Sequence, residues 1–195
     1  MRRVGYVLGN GTSRKKFDLN KLKDKEIVYA CNAVYREFLP NKLIAVDPKM
    51  VHEIVASRAH FETEVWTNYN KAYDEYVGLN YFSPSKGWSS GPTALLRACL
   101  DGCQTIYILG FDYVGLQGGR KVNNIYAGTP NYKQAHEPAT YYGNWLRQTE
   151  TILRDHSDRE FIRVVGKKDY NPNNFNNFNN YKTISYKEFE EYLDK

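Results

Sequence analysis

The chain begins with a short apolar run that stops at a glycine-rich turn. Val4–Leu8 leads into Gly9-Asn10-Gly11-Thr12-Ser13, and a basic segment compatible with a helix follows. A buried strand, a glycine turn and a helix N-terminus follow one another in this way in doubly wound α/β folds. Backbone N–H groups at such a turn bind anions, and Ser13 is placed to cap the helix or to donate to a phosphate oxygen. The segment therefore predicts a nucleotide or phosphate site, with an ordinary tight turn as the alternative.

Apolar runs alternate with helix-compatible segments along the rest of the chain. We predict strands at 27–31, 43–46, 64–66, 105–109 and 161–165, and helices after Ser13, from Pro48, at 90–100, 139–155 and 185–193. Residues 68–80 are predicted to be a loop, 114–135 a flexible loop that could close over a ligand, and 171–180 an exposed Asn-rich loop. This alternation predicts one α/β domain over residues 1–195, a Rossmann-like, doubly wound and mostly parallel sheet.

Four of the predicted strands end in glycine or polar residues. The strand at 4–8 ends at Gly9-Asn10, the strand at 27–31 at Asn32 and the strand at 43–46 at Asp47. The strand at 105–109 ends at residues 110–113, which include Asp112. Ligands of open parallel sheets lie outside the carboxyl ends of the strands. We therefore expect these four ends to converge on one pocket.

Composition narrows the classes of partner. The formal net charge of +5 favours phosphorylated ligands, and the absence of a dense Lys/Arg block argues against a nucleic-acid partner. The 17 tyrosines suit recognition of sugars and nucleotides, because a ring stacks while its hydroxyl forms hydrogen bonds. The three cysteines and four histidines form no metal-binding pattern, so we predict no metal and no cofactor. The odd cysteine count, the lack of a signal peptide and the lack of a bilayer-spanning apolar stretch favour a cytoplasmic protein.

Six segments form an ordered set of motifs along the chain: Gly9-Asn10-Gly11-Thr12-Ser13, Cys31-Asn32, Asp47-Pro48, Ser89-Ser90-Gly91, residues 106–113 and Tyr126-Ala127. In this order they resemble the bacterial sialyltransferases of glycosyltransferase family 42. The resemblance extends to about the helix at 141–153 and implies the GT-A-like variant of the fold that these sialyltransferases have. The same glycine turn occurs more loosely in pterin pyrophosphokinase-like proteins and in flagellin-modifying accessory factors.

The resemblance implies metal-independent transfer of a sugar from a CMP-sialic-acid-like donor to a glycan or small acceptor. It implies a general base in the region after the tyrosine loop, where His136 is the candidate and a solvated loop histidine is the alternative. It also makes Tyr113 and Tyr126 hydrogen-bond donors to the departing phosphate. Homo-oligomers are common among such enzymes. The nucleotide-binding residues that we predict are Gly9, Asn10, Gly11, Ser13, Asn32, Asp47, Ser89, Ser90, Gly91 and Asp112.

Three departures from the family pattern keep other functions open. Lys86-Gly87-Trp88 stands where the family has an arginine, Asp47 stands where it has an asparagine, and residues 66–88 are shorter than in typical members. A nucleotide-binding protein without transfer activity is one alternative. A pyrophosphokinase-like enzyme is another, and it would need magnesium at Asp47 and Asp112.

Overall fold

The computed structural model describes residues 3–195 and contains one sheet of eight strands, in which every neighbouring pair is parallel. The strands are β1 Val4–Leu8, β2 Ile27–Cys31, β3 Lys42–Ile44, β4 Glu64–Thr67, β5 Leu79–Tyr81, β6 Thr105–Leu109, β7 Glu160–Val165 and β8 Tyr181–Ser185. Their order in the sheet is β5-β4-β3-β2-β1-β6-β7-β8, so the direction of winding reverses between β1 and β6. The predicted doubly wound α/β fold is thereby confirmed.

Helices cover both faces of the sheet. They are α1 Pro48–Ala56, α2 Ser90–Leu100, the irregular turn α3 Leu116–Gly119, α4 Gly143–Asp155 and α5 Tyr186–Leu193. Tyr6 and Leu8 belong to the same core as α1 and α5, whereas Val7 belongs to the core that contains α2 and α4. Because successive strand residues point to opposite faces, central strands buried on both sides must be apolar throughout.

The ends of the longer helices follow from local sequence. Asp47 caps α1 by accepting a hydrogen bond from the Lys49 N–H, and Pro48 occupies the first turn. Ser185 and Glu188 form the predicted capping box of α5. Among residues 3–195, none of the helices has the length and apolarity needed to cross a bilayer.

The predicted helix after the glycine turn is wrong. Residues 12–14 form a single 3-10 turn, and a second one spans Leu19–Leu22. The Ser13 N–H donates to the Asp112 carboxylate at 3.0 Å, and the Arg14 side chain turns into the protein, where it is 2% exposed. These tertiary contacts hold the segment close to the sheet and replace the regular helix.

Other predicted boundaries also need correction. Two edge strands were missed, because the half-buried residues of β5 and β8 lack an apolar run. The helix predicted from residue 139 begins at Gly143. The Asn-rich segment is not wholly exposed, because Phe175 is fully buried and holds a 3-10 turn over Asn173–Asn177 against the core.

Asp101 connects α2 to the central sheet, and its ionisation should make the free energy of unfolding fall at low pH. Its carboxylate accepts a hydrogen bond from Tyr29 Oη at 2.9 Å and pairs with Lys42 at 2.9 Å and with Arg97. Burial alone would raise its pKa, but the hydrogen bonds from Arg97, Lys42 and Tyr29 lower the pKa from 3.8 to about 2. A depressed folded-state pKa stabilises the protein above the unfolded value and ceases to do so as the pH falls through the folded value.

We therefore expect Asp101 to contribute about 2 kcal/mol to the free energy of unfolding above pH ~4, a contribution lost as the pH falls towards ~2. Urea titrations between these pH values should show this loss in the wild type and not in Asp101→Asn. Asp155→Asn removes an exposed ion pair with Arg154 and serves as the control. Equal acid dependence in wild type and Asp101→Asn would contradict the assignment.

Candidate functional site

A cavity of about 400 Å³ opens at the carboxyl ends of β1, β2, β3 and β6. We call it the strand-end cavity. It lies beside the boundary between β1 and β6, where the winding reverses and where open α/β sheets bind their ligands. The four predicted strand ends therefore converge in space. The predicted site residues that line it are Asn10, Gly11, Asn32, Asp47, Ser89, Ser90, Asp112 and Tyr113.

The other predicted site residues lie outside the lining. Gly9 faces Gly110 so closely that a Cβ atom would collide with the Gly110 backbone, and Gly91 leaves room in the same way for the Trp145 ring. Tyr126 is buried behind the cavity. His136 is exposed, and its carbonyl oxygen accepts a hydrogen bond from Lys121 Nζ at 2.6 Å. The remaining one, Ser13, lines a neighbouring cavity.

The backbone of the glycine turn is already hydrogen-bonded within the protein. The Gly9 N–H donates to the Leu109 carbonyl at 2.8 Å, and the Gly11 N–H donates to the Gly110 carbonyl at 2.9 Å. The Thr12 N–H donates to Asn123 Oδ1 at 2.9 Å, and the Ser13 N–H is held by Asp112. These four donors hold β1 against β6 and the following loop, so a phosphate would have to find its hydrogen-bond donors elsewhere.

The N-terminus of α2 is the other place at this edge where an anion is favoured, although its Ser89 N–H already donates to Gln148 Oε1 at 3.1 Å. Ser89 and Ser90 begin this helix and line the cavity, and the positive end of the helix dipole favours an anion there. Ser90 Oγ accepts a hydrogen bond from the Val46 N–H at 3.1 Å and donates to Asn32 Oδ1 at 3.0 Å. The serine thus fixes both the end of the third strand and the Asn32 amide.

Left-handed backbone is concentrated at the cavity. Asn32, Tyr113 and Asn131 have φ values of 56°, 58° and 66°, and all three line it. Asparagine tolerates this conformation, whereas an aromatic residue adopts it at a cost of order 1–3 kcal/mol. Such strain persists where the surrounding structure enforces it and is frequent at ligand-binding sites.

Asn10 carries a buried polar atom without a partner. The residue is 5% exposed, and its Nδ2 donates to the Cys31 carbonyl and to Tyr132 Oη, both at 3.2 Å. Its Oδ1 has no hydrogen-bond partner among residues 3–195. A buried acceptor left unsatisfied costs about 1–3 kcal/mol. A donor group on a bound ligand would remove that cost.

Tyr132 and Tyr142 line the cavity and were missed by the sequence reasoning. Tyr132 Oη accepts hydrogen bonds from Asn10 and from the Ala33 N–H, and Tyr142 Oη donates to the Asn123 carbonyl at 3.1 Å. Burial raises the pKa of both phenols, so both stay protonated at neutral pH. Other lining residues that were not predicted are Asn123, Asn124, Asn131, Lys133 and Trp145. For the four that lie in the 114–135 loop, the polar character of that loop was the only signal in the sequence.

Tyr113 and Tyr126 direct their hydroxyl groups into the protein. Tyr113 Oη donates to Thr149 Oγ1 at 3.3 Å. Tyr126 Oη donates to the Glu37 carboxylate and accepts from Arg14 Nη2 at 3.1 Å. Burial raises the pKa of both tyrosines. Tyr126 therefore anchors the loop that contains it. By contrast, the hydroxyl groups of Tyr132 and Tyr142 form hydrogen bonds with other residues of the cavity lining, Asn10 and Asn123.

The two carboxylates of the cavity are engaged by the protein. Asp47 caps α1, and Asp112 accepts from both the N–H and the hydroxyl of Ser13. Over the described part of the chain, residues 3–195, no group of three or more His, Cys, Asp or Glu side chains is arranged to hold a metal ion. Amides, hydroxyl groups and a helix N-terminus make up most of the polar lining.

The fold resembles that of a known sialyltransferase. The chain is similar to the sialyltransferase CstII from Campylobacter jejuni, solved in complex with a substrate analogue, cytidine-5'-monophosphate (CMP). The two share 17% sequence identity with a TM-score of 0.54, over 87% of this chain and 82% of that one. No protein-family model and no curated protein sequence matches the chain. The similarity shows a shared α/β fold.

Proposed function

We propose that this protein is a glycosyltransferase that uses a nucleotide-activated sugar, with a CMP-sialic-acid-like donor bound in the strand-end cavity. The observation that carries the proposal is the α2 N-terminus, which opens into a cavity lined by amides and phenols at the switch point of the sheet. The fold likeness to a CMP-bound sialyltransferase supports cytidine as the base.

In this proposal the donor phosphate lies against the N-terminus of α2, next to Ser89 and Ser90. Asn32 and Asn10 hydrogen-bond the donor, and Asp47 accepts from a ribose hydroxyl. Tyr132 stays protonated and its hydroxyl only accepts hydrogen bonds within the protein, so its proton is free to be donated to the leaving phosphate. Tyr142 would first have to release the Asn123 carbonyl. Donors prearranged around a developing negative charge stabilise a transition state without reorganisation.

The transfer itself exchanges one carbon–oxygen bond for another. An acceptor hydroxyl oxygen bonds to the anomeric carbon of the sugar while the bond from that carbon to the phosphate oxygen breaks. CMP leaves with the bonding electron pair, and the hydroxyl proton passes to a base. His136 remains the candidate that the resemblance implies, and its exposed position means that the loop carrying it would have to approach the bound substrates.

CMP should stabilise the protein in the presence of EDTA, since none of the proposed contacts uses a metal. At a hundredfold excess over its dissociation constant, a ligand specific for the folded state adds about 2.7 kcal/mol, which raises Tm by roughly 5–10 °C. A thermal-shift series with CMP, UMP, AMP and GMP, with EDTA and with magnesium, tests this. A shift that requires magnesium and an adenine nucleotide would contradict the proposal and favour a pyrophosphokinase-like enzyme.

One observation favours a second candidate, a nucleotide-binding protein without transfer activity. The predicted base, His136, lies outside the cavity lining and is exposed. Release of CMP from CMP-sialic acid by wild type, reduced at least tenfold in His136→Ala with CMP affinity unchanged, would support transfer. CMP binding without any release of CMP from CMP-sialic acid would support a nucleotide-binding protein without transfer activity.

A further inference from the structure

A second cavity of about 760 Å³ adjoins the strand-end cavity at the same edge of the sheet. It lies against the loops that follow β1, β6 and β7 and against the start of α5. We call it the lysine cavity, after Lys15, Lys16 and Lys168 in its lining. The two cavities share two lining residues, Asp112 and Asn123. A group held in one cavity therefore comes close to a group held in the other at this shared wall.

The three lysines of this cavity are uncommitted. All three are exposed, and within residues 3–195 none takes part in an ion pair or a side-chain hydrogen bond. Lysine side chains that line one cavity and have no protein partner favour an anion as its ligand.

The carboxylates of the lysine cavity already have partners. Asp169 accepts a hydrogen bond from the Gly166 N–H at 2.6 Å, and Glu190 pairs with Lys21 at 3.6 Å. Asp112 is held by Ser13. Hydrogen bonds from N–H and O–H groups leave Asp112 and Asp169 charged, so these carboxylates offset part of the lysine charge. The lysines are the charged lining groups without a partner within residues 3–195, and a phosphate offers them more acceptor oxygens than a single carboxylate does.

Aromatic side chains give the same cavity an apolar wall. Phe17 and Tyr186 pack with their ring centroids 5.9 Å apart, and Tyr170 lines the cavity beside Lys168. Such a wall suits the carbon face of a sugar ring, while the lysines suit a charged substituent on it. A glycosyl transfer needs two substrates that meet at one point, and the shared wall at Asp112 and Asn123 is such a point.

We propose that the lysine cavity binds the acceptor of the transfer and that this acceptor is a sugar bearing a phosphate group. The acceptor role rests on the proposed function, whereas phosphate binding by the three lysines is independent of it. The acceptor phosphate lies among Lys15, Lys16 and Lys168, and its free hydroxyl reaches the donor past Asp112 and Asn123.

Calorimetric titration of the full chain with glucose 6-phosphate, glucuronate and glucose tests the ligand class. We expect glucose 6-phosphate to bind at least tenfold more tightly than the other two, with an affinity that falls as salt is raised. The triple variant Lys15→Gln, Lys16→Gln, Lys168→Gln should lose at least tenfold of that affinity and keep the affinity for CMP. Lys71→Gln removes an exposed lysine outside both cavities and should change neither.

Competition decides the acceptor role. Glucose 6-phosphate and CMP should bind together, neither displacing the other. Displacement by CMP would overturn the proposal, because the lysines would then hold part of the nucleotide. Equal affinity for glucuronate, or an unchanged affinity in the triple variant, would overturn it as well. Failure of wild type to bind CMP would contradict the proposed function and with it the acceptor role, while the glucose 6-phosphate titration would still decide whether the cavity binds phosphate.

Discussion

Replacement of Arg14 by methionine should lower the free energy of unfolding by about 2–4 kcal/mol, which corresponds to a fall in Tm of roughly 5–15 °C. The guanidinium group is 2% exposed and donates from Nε to the Gly9 carbonyl at 2.6 Å. It also donates to Glu37 at 3.2 Å and to Tyr126 Oη at 3.1 Å. Methionine keeps the length of the side chain, leaves the buried Gly9 carbonyl without this donor, and leaves Glu37 with only the hydrogen bond from Tyr126.

The same variant tests how the loop is held to the sheet. Arg14 joins the glycine turn to Tyr126, and the loop that contains Tyr126 also supplies Asn123, Asn131 and Tyr132 to the strand-end cavity. Hydrogen exchange over residues 122–133 should therefore accelerate in Arg14→Met. Arg154→Met, which breaks an exposed ion pair with Asp155, should cost less than about 1 kcal/mol. A loss of stability in Arg14→Met no larger than in this control would contradict the assignment.

Replacement of Asn32 by glycine should weaken CMP binding by roughly 10–100-fold, because a hydrogen bond to a charged group contributes about 1.5–3 kcal/mol. Asn32 has φ 56°, a conformation that glycine adopts without strain, so this change removes the amide and leaves the backbone as it is. Calorimetric titration with CMP measures the loss of affinity. Urea titration should show a loss of stability of about 0.5–1.5 kcal/mol, since the hydrogen bond from Ser90 Oγ to the amide is lost.

Two further variants separate the amide from the backbone. Asn32→Ala removes the same side chain and adds the strain of a left-handed alanine, so it should lose about 1 kcal/mol of stability beyond the glycine variant. Arg58→Gly alters another left-handed residue, at φ 65°, outside the cavity, and should leave CMP affinity unchanged. Wild-type affinity for CMP in Asn32→Gly would mean that the nucleotide does not use this amide.

The central half of the sheet was predictable because each of its strands is buried on both faces. β1, β2 and β6 read as continuous apolar runs, and the caps at Asp47 and Ser185 follow local rules that need no tertiary information. The edge strands β5 and β8 were not predicted, because their residues are half-buried or exposed and so do not form a continuous apolar run.

Apart from Ser89 and Ser90 at the start of α2, the lining residues that were predicted follow the ends of strands. Asn10, Asn32, Asp47 and Asp112 come within three residues of a strand end, so parallel pairing brings them to one edge. Tyr132 and Tyr142 also line the cavity and were not predicted, whereas Tyr126 turns inward to Arg14 and Glu37. The direction of a loop side chain depends on partners distant in sequence, and no local pattern encodes them.

The sequence by itself determined the alternation of strands and helices and the polar residues at the strand ends, because burial and capping act over a few neighbouring residues. Only the tertiary structure decided that the N–H groups of the glycine turn bond within the protein and that the N-terminus of α2 faces the cavity. It alone placed Lys15 and Lys16 beside Lys168, more than 150 residues further along the chain, around a second cavity. Such contacts depend on how whole elements pack against one another, so they are set only when the chain has folded.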